Sequence, residues 1–141
     1  NKISQNFDVT VYTHADCKDI LPTAIYGGKI DYYDTMPTVF QHSKINLNIT
    51  LKTIQTGIPL RAWDILGCGG FLLTNFQQEL CDFFIPGEDF VYYESPADAI
   101  EKAAYFLSHD RERQEIAHNA FEKIAASHTF HHRVQSMFDI I

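Results

Sequence analysis

Several features that would assign a function directly are missing from this sequence. Its 141 residues contain no apolar run near the roughly 20 residues that a helix needs to cross a bilayer, and no basic start followed by an apolar stretch. Neither a glycine-rich P-loop nor a GxSxG nucleophile elbow is present. We therefore expect a cytoplasmic chain without a transmembrane segment, which uses neither P-loop kinase chemistry nor the serine chemistry of hydrolases.

Cysteine is scarce, and metal-ligand spacing is absent. Cys17, Cys68 and Cys81 are an odd number without the spacing of a zinc knuckle, which favours reduced thiols over a disulfide framework. The segment HTFHH at residues 128–132 places three histidines together, but no carboxylate stands near them to complete a zinc site. The sequence therefore predicts no bound metal.

Acidic residues are absent from residues 35–63, although the whole chain has a formal net charge of −7. Lys44, Lys52 and Arg61 lie in this stretch, so it carries +3 and the rest of the chain −10. The overall charge argues against binding of nucleic acid or anionic membranes, both of which need a basic surface. The basic stretch favours a small anionic ligand, and chance spacing of three solvated cations is the alternative.

Strand patterns and helix patterns alternate along the chain. Strands are predicted from period-two alternation or short apolar runs at residues 7–13, 45–50, 69–75 and 89–93. Helices are predicted at residues 37–43, and after the candidate N-caps Ser95, Asp110 and Thr129. Alternation of this kind predicts one α/β domain with a mainly parallel sheet, helices on both faces and further helices at the C-terminal end.

Polar residues alternate with apolar residues in the predicted strand at 45–50. Asn46, Asn48 and Thr50 share one face, which an α/β sheet buries, and buried polar groups are costly without partners. Ligands of such sheets bind beyond the carboxyl ends of the strands. Asn48 and Thr50 are therefore candidates for substrate contact, with hydrogen bonding to neighbouring loops as the alternative.

Arg61 lies in the first turn of a helix that is predicted after the loop GIPL. A helix N-terminus carries about half a positive charge and several unpaired N–H groups, so a cation is unfavourable there unless an anion joins it. The guanidinium of Arg61 and the N–H groups of residues 59–62 could converge on a diphosphate. The alternative is a solvated arginine, or one paired with Asp64 three residues further on.

Residues 28–133 contain the motifs GIPLR, D.L.CGGF.LT, GEDFV.Y and H.F..R in this order. In these motifs the sequence resembles the C-terminal half of spore-maturation, family-one-like glycosyltransferases of the GT-B type. The resemblance implies that residues 1–141 form a single Rossmann-like domain that binds a nucleotide-sugar donor without metal or other cofactor. It also implies a C-terminal fragment of a two-domain protein, whose N-terminal domain binds the acceptor and without which the fragment is nearly inactive.

The same resemblance implies roles for individual residues. Asp64 matches an acidic residue that hydrogen-bonds the ribose, and Arg61 would stabilise the leaving diphosphate. Ile30 would flank the base, and Tyr32 could stack or hydrogen-bond there, unless it is a core aromatic under a helix. A second acid usually stands eight positions before Asp64, but this chain has Thr56 there. No catalytic base is assigned, since this group normally belongs to the other half of such enzymes.

Two non-enzymatic functions are the alternatives. A receiver or nucleotide-sensing α/β module is one of them, but a receiver needs acids clustered at its strand ends. The predicted strands INLNIT and GGFLLTN end in amides and hydroxyls instead. The other is a protein-interaction module, which predicts an exposed apolar patch rather than a nucleotide pocket.

Overall fold

The computed structural model describes residues 2–51 and 56–139. The strands in these segments are β1 (Thr10–Tyr12), β2 (Ile25–Gly28), β3 (Asn46–Asn48), β4 (Leu72–Asn75) and β5 (Val91–Tyr93). The α-helices are α1 (Met36–His42), α2 (Leu60–Gly67), α3 (Pro96–Ser108), α4 (Asp110–Ser127) and α5 (Phe130–Phe138), and a 3₁₀ helix covers Gln78–Asp82. The predicted α/β class is confirmed. No helix in the described part of the chain is both long enough and apolar enough to span a membrane.

Every strand pair in the described segments is parallel, as predicted, but the strands form two sheets. β1 pairs with β2, whereas β4 lies between β3 and β5. The strand β2 was not predicted, because its sequence IYGG lacks apolar alternation and ends in two glycines, which are poor strand formers. The strand predicted at residues 7–13 is shorter than expected, since β1 covers only Thr10–Tyr12.

Helices cover both faces of the three-stranded sheet. Successive residues of a strand point to opposite faces, and Leu72 and Leu73 of β4 accordingly belong to two separate clusters of buried side chains. The cluster around Leu72 comprises Phe40, Ala62, Ile65, Leu66, Leu80, Phe84, Phe90, Ala120 and Ile124. The cluster around Leu73 comprises Phe71, Val91, Ala103, Phe106, Ile116 and Ala117. The predicted burial of this parallel sheet between helices is confirmed.

The N-caps of two of the three C-terminal helices are as predicted. The Ser95 hydroxyl accepts a hydrogen bond from the N–H of Asp98 (3.2 Å) at the start of α3, and Thr129 caps α5 in the same way. The prediction that Asp110 caps α4 is wrong, because His109 is the N-cap residue and no side chain caps this helix. Asp110 is instead the first helical residue, and its carboxylate accepts a hydrogen bond from Arg113 (2.6 Å).

The apolar residues predicted to share one side of α5 are exposed. The exposed fraction is 92% for Phe130 and 67% for both Met137 and Phe138, and Val134 is half exposed as well. The last residue of the predicted stripe, Ile141, lies outside the described residues. Helix α5 therefore contributes no fully buried side chain to the core among its described residues.

The two glycines between α2 and β4 have different structural roles. Gly69 has a φ of +74°, in the left-handed region that favours glycine, and its N–H donates to the carbonyl of Leu66 (3.0 Å) to end α2. Gly70 lies in a close approach, because a Cβ there would be 2.7 Å from the carbonyl oxygen of Phe40 and 2.7 Å from Nδ2 of Asn46. The helix-ending turn and the close packing therefore explain the two glycines of the CGGF motif.

Candidate functional site

The carboxyl ends of β3, β4 and β5 carry a network of hydrogen-bonded polar groups. The side-chain amide of Asn48 donates to the hydroxyls of Thr50 (3.2 Å) and Thr74 (3.1 Å). The backbone N–H of Thr50 donates to Oδ1 of Asn75 (2.7 Å), and the Tyr93 hydroxyl donates to the carbonyl of Asn48 (3.2 Å). The structure therefore brings the predicted residues Asn48 and Thr50 together, and both are hydrogen-bonded to residues of the neighbouring strand β4.

Burial explains why these polar groups are paired with one another. Asn48, Thr50 and Thr74 are buried, and burial also raises the pKa of the half-buried Tyr93. At the other end of β3 the amide of Asn46 donates to the Phe40 carbonyl (2.9 Å), which is a purely structural contact. The alternative interpretation of this strand, local hydrogen bonding, is thus present in the structure, and the substrate-facing role of Asn48 and Thr50 stays a prediction.

Helix α2 begins beyond the carboxyl end of β3, with Pro59 as its N-cap and no side-chain cap. The N–H groups of residues 59–62 were predicted to converge on an anion, and this is wrong for two of the four. Pro59 has no N–H, and the N–H of Ala62 donates to the Pro59 carbonyl (2.9 Å). Only Leu60 and Arg61 have N–H groups left without an acceptor among the described residues, so the helix end offers two donors.

The side chain of Arg61 is exposed, and it forms no hydrogen bond or ion pair with residues 2–51 or 56–139. The alternative in which Arg61 pairs with Asp64 is therefore not seen. Asp64, one turn further along α2, instead accepts a hydrogen bond from the hydroxyl of Tyr32 at 2.5 Å. The guanidinium is thus available to a ligand from outside the described chain.

Tyr32 comes from the segment between β2 and α1, 32 residues before Asp64. Its hydrogen bond to the Asp64 carboxylate raises the pKa of Tyr32 to about 12, while the nearby positive charge of Arg61 acts in the opposite direction. Tyr32 is 44% exposed, so the interpretation of this residue as a core aromatic is wrong. Ile30, two residues earlier, is half-buried and takes no part in these hydrogen bonds.

Replacing Asp64 with asparagine is expected to move the pKa of Tyr32 from about 12 back toward its ordinary value of about 10. The neutral amide no longer penalises the phenolate that forms on deprotonation. A carbon-13 NMR titration of the tyrosine Cζ atoms measures the change. The stabilisation that the bond gives is present below pH 10 and lost as the pH rises through 12, because the raised pKa favours the protonated phenol in the folded state.

Asp34→Asn is the matched control for this titration, because it removes an exposed carboxylate two residues from Tyr32 that is not bonded to its hydroxyl. The Tyr32 curve should be the same in this variant as in the unmodified chain. A Tyr32 pKa near 10 in the unmodified chain would show that the Tyr32–Asp64 bond does not form in solution.

Some polar groups at this edge were not among the predicted site residues. Thr74 and Asn75 end the run GGFLLTN, and the register of β3 with β4 places Thr74 opposite Asn48. Glu79, in the 3₁₀ helix, accepts a hydrogen bond from the backbone N–H of Gly57 and so brings a carboxylate next to Thr56. Thr74 and Asn75 could have been selected from the sequence, because they end a predicted strand. No local pattern pointed to Glu79, because its partner Gly57 is 22 residues away.

The histidines at residues 128–132 are used for packing and capping. His128 packs against Trp63 and Phe83, with ring centroids 5.3 Å and 5.5 Å apart, and burial lowers its pKa. His132 hydrogen-bonds the hydroxyl of Thr129 (2.7 Å) at the start of α5. Within the described segments, no three His, Cys, Asp or Glu side chains are grouped as metal ligands would be. Lys52, part of the basic stretch, lies outside the described residues.

The fold and this edge define an α/β protein that presents an arginine, a carboxylate and a phenol beyond the carboxyl ends of a parallel sheet. In a comparison with protein families, residues 4–139 match the family described as Glycosyl transferase-like. The chain therefore belongs to this glycosyltransferase-like family, which covers nearly all of its length. A search of curated proteins returned no match.

Proposed function

We propose that this chain is the donor-binding part of a glycosyltransferase and holds a nucleoside diphosphate sugar beyond the carboxyl ends of β3 and β4. Family membership supports the class of enzyme. The observation that carries the donor-binding role is the grouping of Arg61, Asp64 and Tyr32 on and beside the first turns of α2. This edge is where parallel α/β sheets bind their ligands.

Arg61 is proposed to bind the diphosphate of the donor. Its planar guanidinium group can donate hydrogen bonds to two phosphate oxygens at once. The backbone N–H groups of Leu60 and Arg61 add two donors at the positive end of α2. As the bond to the sugar breaks, negative charge develops on the leaving diphosphate, and these groups stabilise it. The diphosphate supplies the anion that a cation in the first turn of a helix requires.

Asp64 and Tyr32 are proposed to bind the nucleoside. The Tyr32 hydroxyl donates a hydrogen bond to Oδ2 of Asp64, so Oδ1 of the same carboxylate is left to accept hydrogen bonds from the ribose hydroxyls. The exposed ring of Tyr32 offers a face on which a base can stack, and Ile30 lies in the same segment. The donor-binding role of Asn48 and Thr50 would be to face the sugar from the end of β3, where the Thr50 hydroxyl can still donate a hydrogen bond.

The acceptor site and the catalytic base are proposed to lie in an N-terminal domain of the same protein. The carboxylate that the described residues bring beside Arg61 is that of Asp64, and it is already bonded to Tyr32. This part of the protein is therefore proposed to bind the donor and to require the other domain for transfer. Such a division makes donor binding and transfer separable in experiment.

Replacing Arg61 with alanine is expected to weaken the binding of a nucleoside diphosphate by about tenfold to a hundredfold, because a hydrogen bond to a charged group contributes about 1.5–3 kcal/mol. The full-length protein would be titrated with UDP, GDP, ADP and their sugar conjugates by calorimetry, with EDTA present. Arg111→Ala, which removes an exposed arginine from α4, is the matched control and should leave the affinity unchanged.

Two outcomes of this titration would contradict the proposal. One is the absence of saturable binding to any of these nucleotides at millimolar concentration while the protein is folded. The other is an equal loss of affinity in Arg61→Ala and Arg111→Ala, which would indicate a nonspecific charge effect. Binding that persists in EDTA and depends on Arg61 would support a site that needs no metal.

A protein-interaction function is the second candidate, and one observation favours it. Helix α5 exposes Phe130, Val134, Met137 and Phe138 at helical spacing, which is the kind of apolar patch that an interaction module presents. A folded protein that binds none of these nucleotides would favour this function over donor binding. The titration with Arg61→Ala therefore separates the two candidates.

A further inference from the structure

A cavity of about 510 Å³ lies at the edge of the three-stranded sheet opposite to Arg61. Its wall is formed by the turn between α1 and β3, the glycine turn between α2 and β4, and one face of α4. These turns lead into the amino ends of β3 and β4, whereas the proposed donor site lies beyond their carboxyl ends. The volume is within the range of about 300–1,000 Å³ that is typical of small-molecule sites.

The wall of this cavity is basic in an otherwise acidic chain. Lys44, Arg113, His42 and His118 line it, and none of the residues that line it is an aspartate or glutamate. The chain as a whole carries a net charge of −7. Asp110 pairs with Arg113 and offsets one of the two permanent positive charges, which are those of Lys44 and Arg113. A net positive charge therefore remains at the cavity.

Arg113 is buried, with 7% of the residue exposed, and its guanidinium is only partly used. Nη1 donates to the Phe106 carbonyl (2.9 Å) and to the carboxylate of Asp110 (2.6 Å). A guanidinium has five N–H donors, and Nε and Nη2 bond to no group in the segments that the structure describes. A buried cation with unused donors in a cavity wall is suited to an acceptor that comes from outside the chain.

The ends of the neighbouring helices account for His42, whose Nδ1 hydrogen-bonds a carbonyl in the last turn of α1 (2.8 Å), and for Nη1 of Arg113, but not for Lys44 or the other guanidinium nitrogens. Lysine and histidine near a helix C-terminus often serve its unpaired carbonyls. The end of α1 is already closed, because the Val39 carbonyl accepts hydrogen bonds from the N–H and the hydroxyl of Ser43. The glycine turn closes the end of α2 in the same way. Lys44 itself forms no hydrogen bond or ion pair within residues 2–51 and 56–139.

We propose that this cavity binds a small organic oxyanion, that is, a compound with one phosphate or carboxylate group on an apolar or aromatic body. Lys44 and the unused donors of Arg113 bind the oxyanion, and the amides of Gln41 and Gln114 in the same wall supply further donors. The exposed ring of Phe121 contacts the apolar body. This site is separate from the proposed donor site and does not depend on it.

Phenyl phosphate and benzoate are the probes for this site, and they distinguish a phosphate from a carboxylate as the group recognised. Each is titrated into the full-length protein, with calorimetry for affinity and amide NMR shifts for location. We expect saturable binding with shifts in the α1–β3 turn and along α4. Lys44→Glu should weaken it about tenfold or more, and Gln114→Glu should weaken it as well, because both put a carboxylate into the wall.

Two control variants decide where the probe binds. Lys18→Glu makes the same charge change at an exposed lysine outside the cavity and should leave the affinity unchanged. Arg61→Ala should also leave it unchanged, because Arg61 is at the opposite edge. The proposal is overturned if neither probe binds at millimolar concentration, if Lys18→Glu and Lys44→Glu have equal effects, or if binding is lost in Arg61→Ala and kept in Lys44→Glu.

Discussion

Replacing Leu66 with alanine is expected to lower the free energy of unfolding by about 2–5 kcal/mol. Leu66 is completely buried in α2, within the cluster that includes Phe40 and Leu72. The substitution removes apolar atoms from the core and leaves a cavity that the packed neighbours fill only in part. Because α2 also carries Arg61 and Asp64, this variant weakens the element on which the candidate site is built.

Leu60→Ala is the matched control, since Leu60 belongs to the same helix but is 78% exposed. Its effect on the free energy of unfolding should lie within about 0.5 kcal/mol of zero. Urea denaturation, followed by the fluorescence of Trp63, the single tryptophan of the chain, measures both variants. Equal midpoints for Leu66→Ala and Leu60→Ala would contradict the assignment of Leu66 to the core.

Replacing Gly70 with alanine is expected to lower the free energy of unfolding by about 1–3 kcal/mol or more, as overpacking does. The new Cβ would be 2.7 Å from the Phe40 carbonyl oxygen and 3.1 Å from that of Ile65, and backbone atoms cannot move aside as a flexible side chain can. It would also lie 2.7 Å from the amide of Asn46, whose hydrogen bond to Phe40 would be disturbed. The same denaturation experiment measures the loss.

Gly67→Ala tests whether the effect at Gly70 is specific. A Cβ at Gly67 would meet Ile124 at 3.7 Å, which is ordinary van der Waals contact, and Gly67 is the last residue of α2. Alanine favours the helix over glycine by up to about 1 kcal/mol, so this variant should be as stable as the unmodified chain or more so. A larger loss at Gly67 than at Gly70 would refute the close approach.

Local sequence patterns predicted those features of the fold that depend on residues close to one another in the sequence. Ser95 and Thr129 cap the helices that follow them, because a capping hydroxyl needs only the N–H group three residues on. The prediction failed at Asp110, whose carboxylate accepts a hydrogen bond from Arg113 instead of capping the N-terminus of α4. The strand β2 was missed because its sequence IYGG has no strand pattern of its own, and only its pairing with β1 makes it a strand.

The candidate site shows the same limit. Arg61 and Asp64 could be selected from the sequence because both lie on one predicted helix. The hydrogen bond that joins Tyr32 to Asp64 could not, because it closes a loop of 32 residues. Likewise, Thr74 becomes a partner of Asn48 only through the register of two parallel strands, which the separate strand patterns do not define.

The hydrogen-bonded ends of β3, β4 and β5 have a consequence for the energetics of ligand binding. Asn48, Thr50 and Thr74 are buried, and the Asn48 amide is bonded to both hydroxyls, so hydrogen bonds and packing within the chain already fix the side chains on this floor of the candidate site. The side-chain entropy that binding removes would come instead from Arg61, which is exposed, whereas Tyr32 is already held by its hydrogen bond to Asp64. For the donor that we propose, the ordering of Arg61 would therefore be the main side-chain entropy cost that its contacts with the diphosphate must exceed.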